Sequence, residues 1–353
     1  MNHPHILSIG TAVPESHFSQ TELSGLFNPT NPKIIKLFAN SHIKKRHLQL
    51  PVTPEGTIAE ESPEELLEKH RQGIITYGLS ALKQALQEVG IAPEKLDYLV
   101  CVTSTGYLCP GASALLIKHG GLRSDIHRLD VVGMGCNAAL NSLQPLVQYL
   151  RSNPQGVGAL VCVENCSAAY VRNESIGTAV VNSLFGDAAA AMVLGGAQAP
   201  FNAAAGFDFP DVLDFASHII VEAMHTMRFD RENHKLAFYL DRDIPYVLGH
   251  NVHIPVQNLL DRNGLKKRQI AQWVVHSGGK KVIDSIKMNL DLDDHDVRHT
   301  LSVLENYGNI SSCSIIFSLS QLAQEGVVQK GDYGIVMAMG PGASVETALL
   351  RWS

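Results

Sequence analysis

Residues 128–150, RLDVVGMGCNAALNSLQPLVQYL, hold the unit from which the rest of the chain is read. Arg128 to Gly133 reads as a short β-branched strand stopped by glycine. From Ala139 the apolar residues Ala139, Leu143, Leu146, Val147 and Leu150 recur at helical spacing. A strand that enters a helix through a glycine turn is the repeating unit of an α/β protein. Cys136 sits in that turn, where free N–H groups and the positive end of the helix dipole favour an anion. Cys136 is therefore expected to be a thiolate, its pKa brought below the usual value of about 8.5. The competing expectation is a small buried hydrophobe, as most free cysteines are.

Working outward, strand-like and helix-like runs alternate. HILSIGTAV, LDYLVCVTST and GALVCVENCS read as strands, and AAAAMVLGG as a strand entered from the SLFGD turn. EELLEKHRQGIITYGLSALKQALQEVG reads as one long amphipathic helix closed by Gly90, and SALLIKHGG as a shorter one. Continuous apolar strands separated by helices imply a sheet covered on both faces.

The two halves echo each other. GIAPEKLDYLVCVTSTG in the first resembles GLKKRQIAQWVVHSGG in the second. The cysteine turn has a counterpart in ENYGNISSCSIIFSLSQL, with Asn309 near the place of Cys136, and FGDAAAAMVLGG is matched by MGPGASVETALLRW. The charge-poor segment 195–206 reads as the connection, giving halves at 1–200 and 201–353. Sites in open α/β sheets lie at strand carboxyl ends. Cys136, His276 and Asn309 each read as following a strand, so one cleft between the halves is expected to hold all three.

Composition excludes several classes. The 353 residues are 45% hydrophobic and 18% charged, a globular balance, and the formal charge of −6 gives no basic field for nucleic acid. The six cysteines show neither metal-type nor disulfide-framework spacing, so no metal is expected. No apolar stretch reaches a membrane span, and no charged start with an apolar run marks a signal peptide. A cytoplasmic protein without membrane contact is expected.

A thiolate, a neutral histidine and an asparagine permit two chemistries. One is thiol hydrolysis, with histidine as base and asparagine orienting it. The other is decarboxylative Claisen condensation, in which cysteine carries an acyl group while histidine and asparagine donate to the enolate oxygen that loss of carbon dioxide creates. An amide suits the second role better than an aspartate, which would repel the malonyl carboxylate.

Taken together, VVGMGCNAALNSL, WVVHSGGKKVID, YGNISSCSIIFSL, LFGDAAAAMVLGG and GPGASVETALLRW resemble the type III polyketide synthases, the chalcone synthase family. The resemblance runs in register from near Lys33 to the C-terminus. It implies a duplicated thiolase-like αβαβα fold of five layers and a homodimer working on malonyl-CoA and CoA, with CoA thioesters as substrates and no other cofactor. By the same resemblance Cys136 carries the acyl chain, and His276 and Asn309 drive decarboxylation. Phe185 and Phe238 match the two gatekeepers between CoA tunnel and cavity. Lys33 and Lys36 fall where the family sets basic residues against CoA phosphates, and Asn40 departs from the third such position.

EKHRQGI, CVTSTGYLCPGASALLIK, RLDVVGMGCNAALN and VENCSAAY most resemble the bacterial 3,5-dihydroxyphenylacetyl-CoA synthases. Thr105 takes a cavity position, Cys166 and Ala169 stand where chalcone synthases have threonines, and Tyr170 follows them. Cys109 replaces a methionine that reaches the neighbouring subunit. The implied reaction joins four malonyl units, one as starter, with Thr105 and Tyr170 as expected donors to the starter carboxylate. The alternatives are another acyl-CoA starter of the alkylresorcinol or pyrone type, an acyl-carrier-dependent ketoacyl synthase of the third type, and a non-catalytic partner subunit.

Overall fold

The apolar runs form strands and the amphipathic ones form helices. The computed structural model describes residues 3–170, 175–232 and 235–353. Among these residues the first half carries β1 (His5–Ala12), β2 (His17–Ser19), β3 (Lys45–His47), β4 (Tyr98–Thr103), β5 (His127–Val132), β6 (Val157–Glu164) and β7 (Ala188–Gly195). The second carries β8 (Asp211–Ile219), β9 (Met227–Glu232), β10 (Lys235–Leu240), β11 (Ile270–Val275), β12 (Tyr333–Gly340) and β13 (Ser344–Arg351).

The main sheet has the order β11-β12-β13-β8-β1-β7-β6-β4-β5. The echo seen in sequence is present in its topology. In the first half β4 and β6 run parallel, and β7 lies antiparallel to both β6 and β1. In the second half β11 and β12 run parallel, and β13 lies antiparallel to both β12 and β8. The halves meet at a narrow seam where His5 of β1 pairs with Asp211 of β8.

Every residue of β6 and β7 is buried, as strands covered on both faces must be. On the outer face of the first half, Leu82, Leu86 and Leu116 pack on Leu99, Val161 and Ala191. The inner face receives helix Ala138–Ser152 through Leu143, Leu146 and Leu150. That same core continues into helix Ser314–Glu325 and on to Val274, Val336 and Ala348 of the second half. Beyond those strands, Leu259, Ile283 and Ile286 of two outer helices close the stack. Helix, sheet, helix, sheet, helix: the five layers implied by the resemblance are present.

Two local readings change. The long helix is continuous but contains a π-helical turn at Ile74–Gly78 between Pro63–Gly73 and Leu79–Glu88. Asn309 follows helix Arg298–Tyr307 rather than a strand. The first half has the edge strand β5 before its cysteine, whereas the equivalent stretch of the second half is the turn DLDDHD at 291–296. Five acidic or imidazole side chains in six residues cannot supply the apolar face that a strand needs.

Candidate active site

Cys136 stands where β5 gives way to a turn of 3-10 helix, Gly135–Asn137, that leads into Ala138–Ser152. Gly135 has a φ of +76°, and a Cβ there would collide with the Pro341 ring. A glycine is therefore required beside the thiol. The Gly135 N–H donates to Ser104 Oγ at 2.8 Å, fixing the turn. The thiol itself is buried, and burial pushes it up to about 12. Hydrogen bonds from the Ser311 and Asn309 side chains pull the other way and are outweighed. Desolvation of the thiolate thus opposes the lowering expected from the helix end.

His276 follows β11, its backbone N–H donating to Met337 O at 2.9 Å. Burial pushes its imidazole down to about 3, and Nδ1 has no partner among the described residues. The Asn309 backbone is held on both sides, donating to Leu184 O at 2.9 Å and accepting from Gly186 N at 3.0 Å. Its side-chain Oδ1 accepts the Ser311 N–H at 2.9 Å. The amide is thereby oriented, with Nδ2 as the end left to donate. Cys136, His276 and Asn309 line a single pocket. Sequence reasoning brought these three together, and the structure does so too.

A second pocket is lined by Thr105, Cys166, Ala169 and Tyr170. Cys136, Phe185 and Phe238 border both spaces. The two phenylalanine rings meet edge to face with centroids 5.4 Å apart, and the Phe229 ring packs on Phe238 at 5.0 Å, tilted by 48°. The pair thus forms an apolar partition with the thiol at its foot.

The hydroxyl of Tyr170 is not the free donor expected. It donates to Phe185 O at 2.5 Å and accepts from Arg46 at 3.0 Å, so only the ring faces the cavity. Arg46 is fully buried and also donates to Phe185 O, to Asn182 O and to Gln20 Oε1. These bonds hold the backbone of Phe185 in place. Thr105 keeps a cavity position, with its hydroxyl accepting the Asn165 N–H at 3.0 Å. Lys33 and Lys36 lie on the exposed face of helix Pro32–Ala39, whose Ile34 and Phe38 are buried, and they border neither cavity.

Three buried acids and bases escaped the sequence reading. Glu164 accepts from Ser104 N, Ser311 Oγ and Ser312 Oγ at 3.0, 3.2 and 2.6 Å, and burial pushes its carboxyl up to about 7. Ser311 thereby links Glu164 to the Cys136 thiol. Asp187 accepts from the Ser167 N–H and hydroxyl at 2.8 and 2.6 Å, fixing the turn that carries Cys166 and Ala169. His70 lies behind Thr105. The FGD motif was the only available signal for Asp187. Glu164 and His70 sit in strings whose local pattern does not mark them. Among the described residues there is no cluster of three metal-ligating side chains, and no helix long and apolar enough to cross a membrane.

The architecture places the chain among the thiolase-like proteins, and comparison with known proteins narrows the class. Residues 34–274 match the family model for FAE1/type III polyketide synthase-like proteins, and residues 213–352 match that for the C-terminal domain of chalcone and stilbene synthases. The chain belongs to the type III polyketide synthase family. It is 46% identical over 349 residues to the 3,5-dihydroxyphenylacetyl-CoA synthase of Amycolatopsis balhimycina, covering 98% of this chain and 92% of that protein. The enzyme of the same name from Streptomyces toyocaensis is 45% identical over 356 residues, covering 99% and 90%. Among solved structures, the C-terminal type III polyketide synthase domain of Steely1 from Dictyostelium superposes with a TM-score of 0.88 at 26% identity, covering 99% of each chain.

Proposed function

We propose that this polyketide synthase converts four malonyl-CoA to 3,5-dihydroxyphenylacetyl-CoA, with one malonyl unit as starter. The observation that carries the product is identity of 45–46%, over nearly the whole chain, to enzymes of that name. By atom balance, four malonyl-CoA give one aryl acetyl-CoA, three CoA, four carbon dioxide and one water.

Each residue has a role in this reading. The Cys136 proton passes to His276, and the thiolate attacks a malonyl-CoA thioester and expels CoA. A second malonyl-CoA then loses carbon dioxide, and the electron pair of the broken C–C bond moves into an enolate. The Asn309 Nδ2 and the His276 ring donate to the enolate oxygen, and preorganised donors of this kind are worth several kcal/mol. The enolate carbon attacks the Cys136 thioester, forming the new C–C bond and releasing the thiolate. Phe185 and Phe238 keep water from the acyl chain, which grows into the space beside Thr105, Cys166, Ala169 and Tyr170. Lys33 and Lys36 meet CoA phosphates at the protein surface. The working unit is a homodimer joined beside the loop at 105–111.

Two features favour condensation over thiol hydrolysis. Asn309 Oδ1 is occupied by the Ser311 N–H, and His276 Nδ1 has no orienting partner among the described residues. A hydrolase needs a group on that ring nitrogen to fix the tautomer. A non-catalytic subunit would take up no acyl group, so labelling of Cys136 by radioactive malonyl-CoA separates the two. Mass analysis of the products from malonyl-CoA alone tests the product assignment.

A further inference from the structure

Thr105 Oγ1 has three polar neighbours. It accepts the Asn165 backbone N–H at 3.0 Å, lies 3.3 Å from His70 Nδ1, and lies 3.4 Å from Thr103 Oγ1. A hydroxyl offers two lone pairs and one proton, so the role of each neighbour can be counted. His70 decides the count.

The His70 ring is fully buried, and its Nε2 has no partner among the described residues. Burial pushes the imidazole down to about 4, so it is neutral and one ring nitrogen carries the proton. A proton on Nε2 would leave a buried N–H with no acceptor, the rarer and costlier kind of orphan. A proton on Nδ1 donates to Thr105 and leaves only a bare lone pair. The hydrogen bond on one ring nitrogen thus sets the tautomer. With Asn165 and His70 both donating, the two lone pairs of Thr105 are filled and its own proton must point elsewhere. Thr103 Oγ1 at 3.4 Å is a long acceptor that also faces the Thr105 N–H at 3.5 Å, so a closer substrate oxygen can take the proton from it. The other direction open to the proton is the cavity that Thr105 lines. The position is built for this ring: a Cβ on Gly106 would collide with it.

We propose that His70 is a positioning residue whose Nδ1–H turns the Thr105 hydroxyl into a donor aimed at a carbonyl or carboxylate oxygen of the bound poly-β-keto chain. This rests on the polyketide reading above. The role belongs to steering of the chain, apart from decarboxylation at His276 and Asn309.

The test uses the full-length enzyme with malonyl-CoA and reads aromatic product formed per carbon dioxide released. His70→Leu removes the donor, and His70→Gln moves it to the reach of Nε2. Each is expected to lower the ratio about fivefold, the worth of one hydrogen bond. Thr105→Val should lower it similarly, and His70→Leu combined with Thr105→Val should fall no further than Thr105→Val alone. His70→Asn, which sets an amide near Nδ1, should restore the ratio. Either His70→Leu or His70→Gln suffices if the other fails to fold. A wild-type ratio in the loss variants, multiplied losses in the double variant, or a His70→Asn ratio as low as that of His70→Leu would overturn the proposal alone. Carbon dioxide release without aromatic product in the wild type would overturn the polyketide reading and the proposal with it.

Discussion

The Ser311 backbone N–H donates to Asn309 Oδ1 at 2.9 Å, so the amide that faces Cys136 and His276 cannot rotate without losing that bond. A donor fixed before substrate arrives needs no reorganisation as enolate charge develops. Asn309→Ala should therefore slow carbon dioxide release from malonyl-CoA by about 100- to 1,000-fold. Asn309→Asp should be slower than its size suggests, because the anion faces the malonyl carboxylate. Manometric or isotopic measurement of release decides the matter, and a normal rate in Asn309→Asp would remove the assignment.

Cys136 and His276 predict a coupled proton. Burial raises the thiol and lowers the imidazole, so either ion alone is disfavoured, and thiolate forms only where the imidazolium of His276 offsets its charge. Only thiolate reacts with an alkylating agent. In His276→Ala the pH profile of Cys136 alkylation should move to higher pH, and the rate at pH 7 should fall. Profiles that coincide would show that His276 takes no part.

Glu164 predicts a stability signature. Its carboxyl is raised from 4.5 to about 7, chiefly by burial, so the folded state binds the proton more tightly than the unfolded chain. That contribution is fully present below pH 4.5 and is lost as pH rises through about 7. Glu164→Gln cannot titrate. Relative to wild type, its free energy of unfolding in denaturant should be flat below pH 4.5 and improve between pH 4.5 and 7.5, by on the order of 3 kcal/mol. A difference independent of pH would show that the carboxyl binds its proton equally in the folded and unfolded chain, and a difference of opposite sign would show that the fold favours the ion.

The loop at 105–111 bears on assembly. Tyr107 is 71% exposed, and Cys109 is also exposed. In a two-fold interface the same patch meets itself, so one substitution acts twice. Cys109→Arg should shift sedimentation toward monomer or reduce activity. A fully active monomer at assay concentration would end the dimer reading.

Much of this was legible in sequence, for reasons that particular residues show. Gly133 and Gly135 around Cys136, and Gly278 and Gly279 after His276, mark turns where strand gives way to ligand space, and period and composition betray such turns. The repeat of β4 with β11 was legible because each strand follows a short polar 3-10 turn, Pro93–Lys95 and Lys267–Gln269. Arg46 was not, since IKKRHL presents three cations and only alternation on β3 turns the third inward. Glu164 and His70 were hidden for a related reason. Their burial is set by Ser311, Ser312 and Gly106, far away in sequence, and no local pattern reports a partner 36 to 148 positions distant. Tyr170 was placed at the cavity, but its hydroxyl was assigned to substrate because the claim of Phe185 O on it exists only in the folded chain.

The most direct measurement incubates the pure protein with malonyl-CoA alone and follows carbon dioxide, free CoA and product mass together. The account predicts 3,5-dihydroxyphenylacetyl-CoA, with four carbon dioxide and three CoA released per molecule. Aromatic product that appears only after another acyl-CoA is added would contradict the malonyl starter, and acyl loss to water without any new C–C bond would contradict condensation itself.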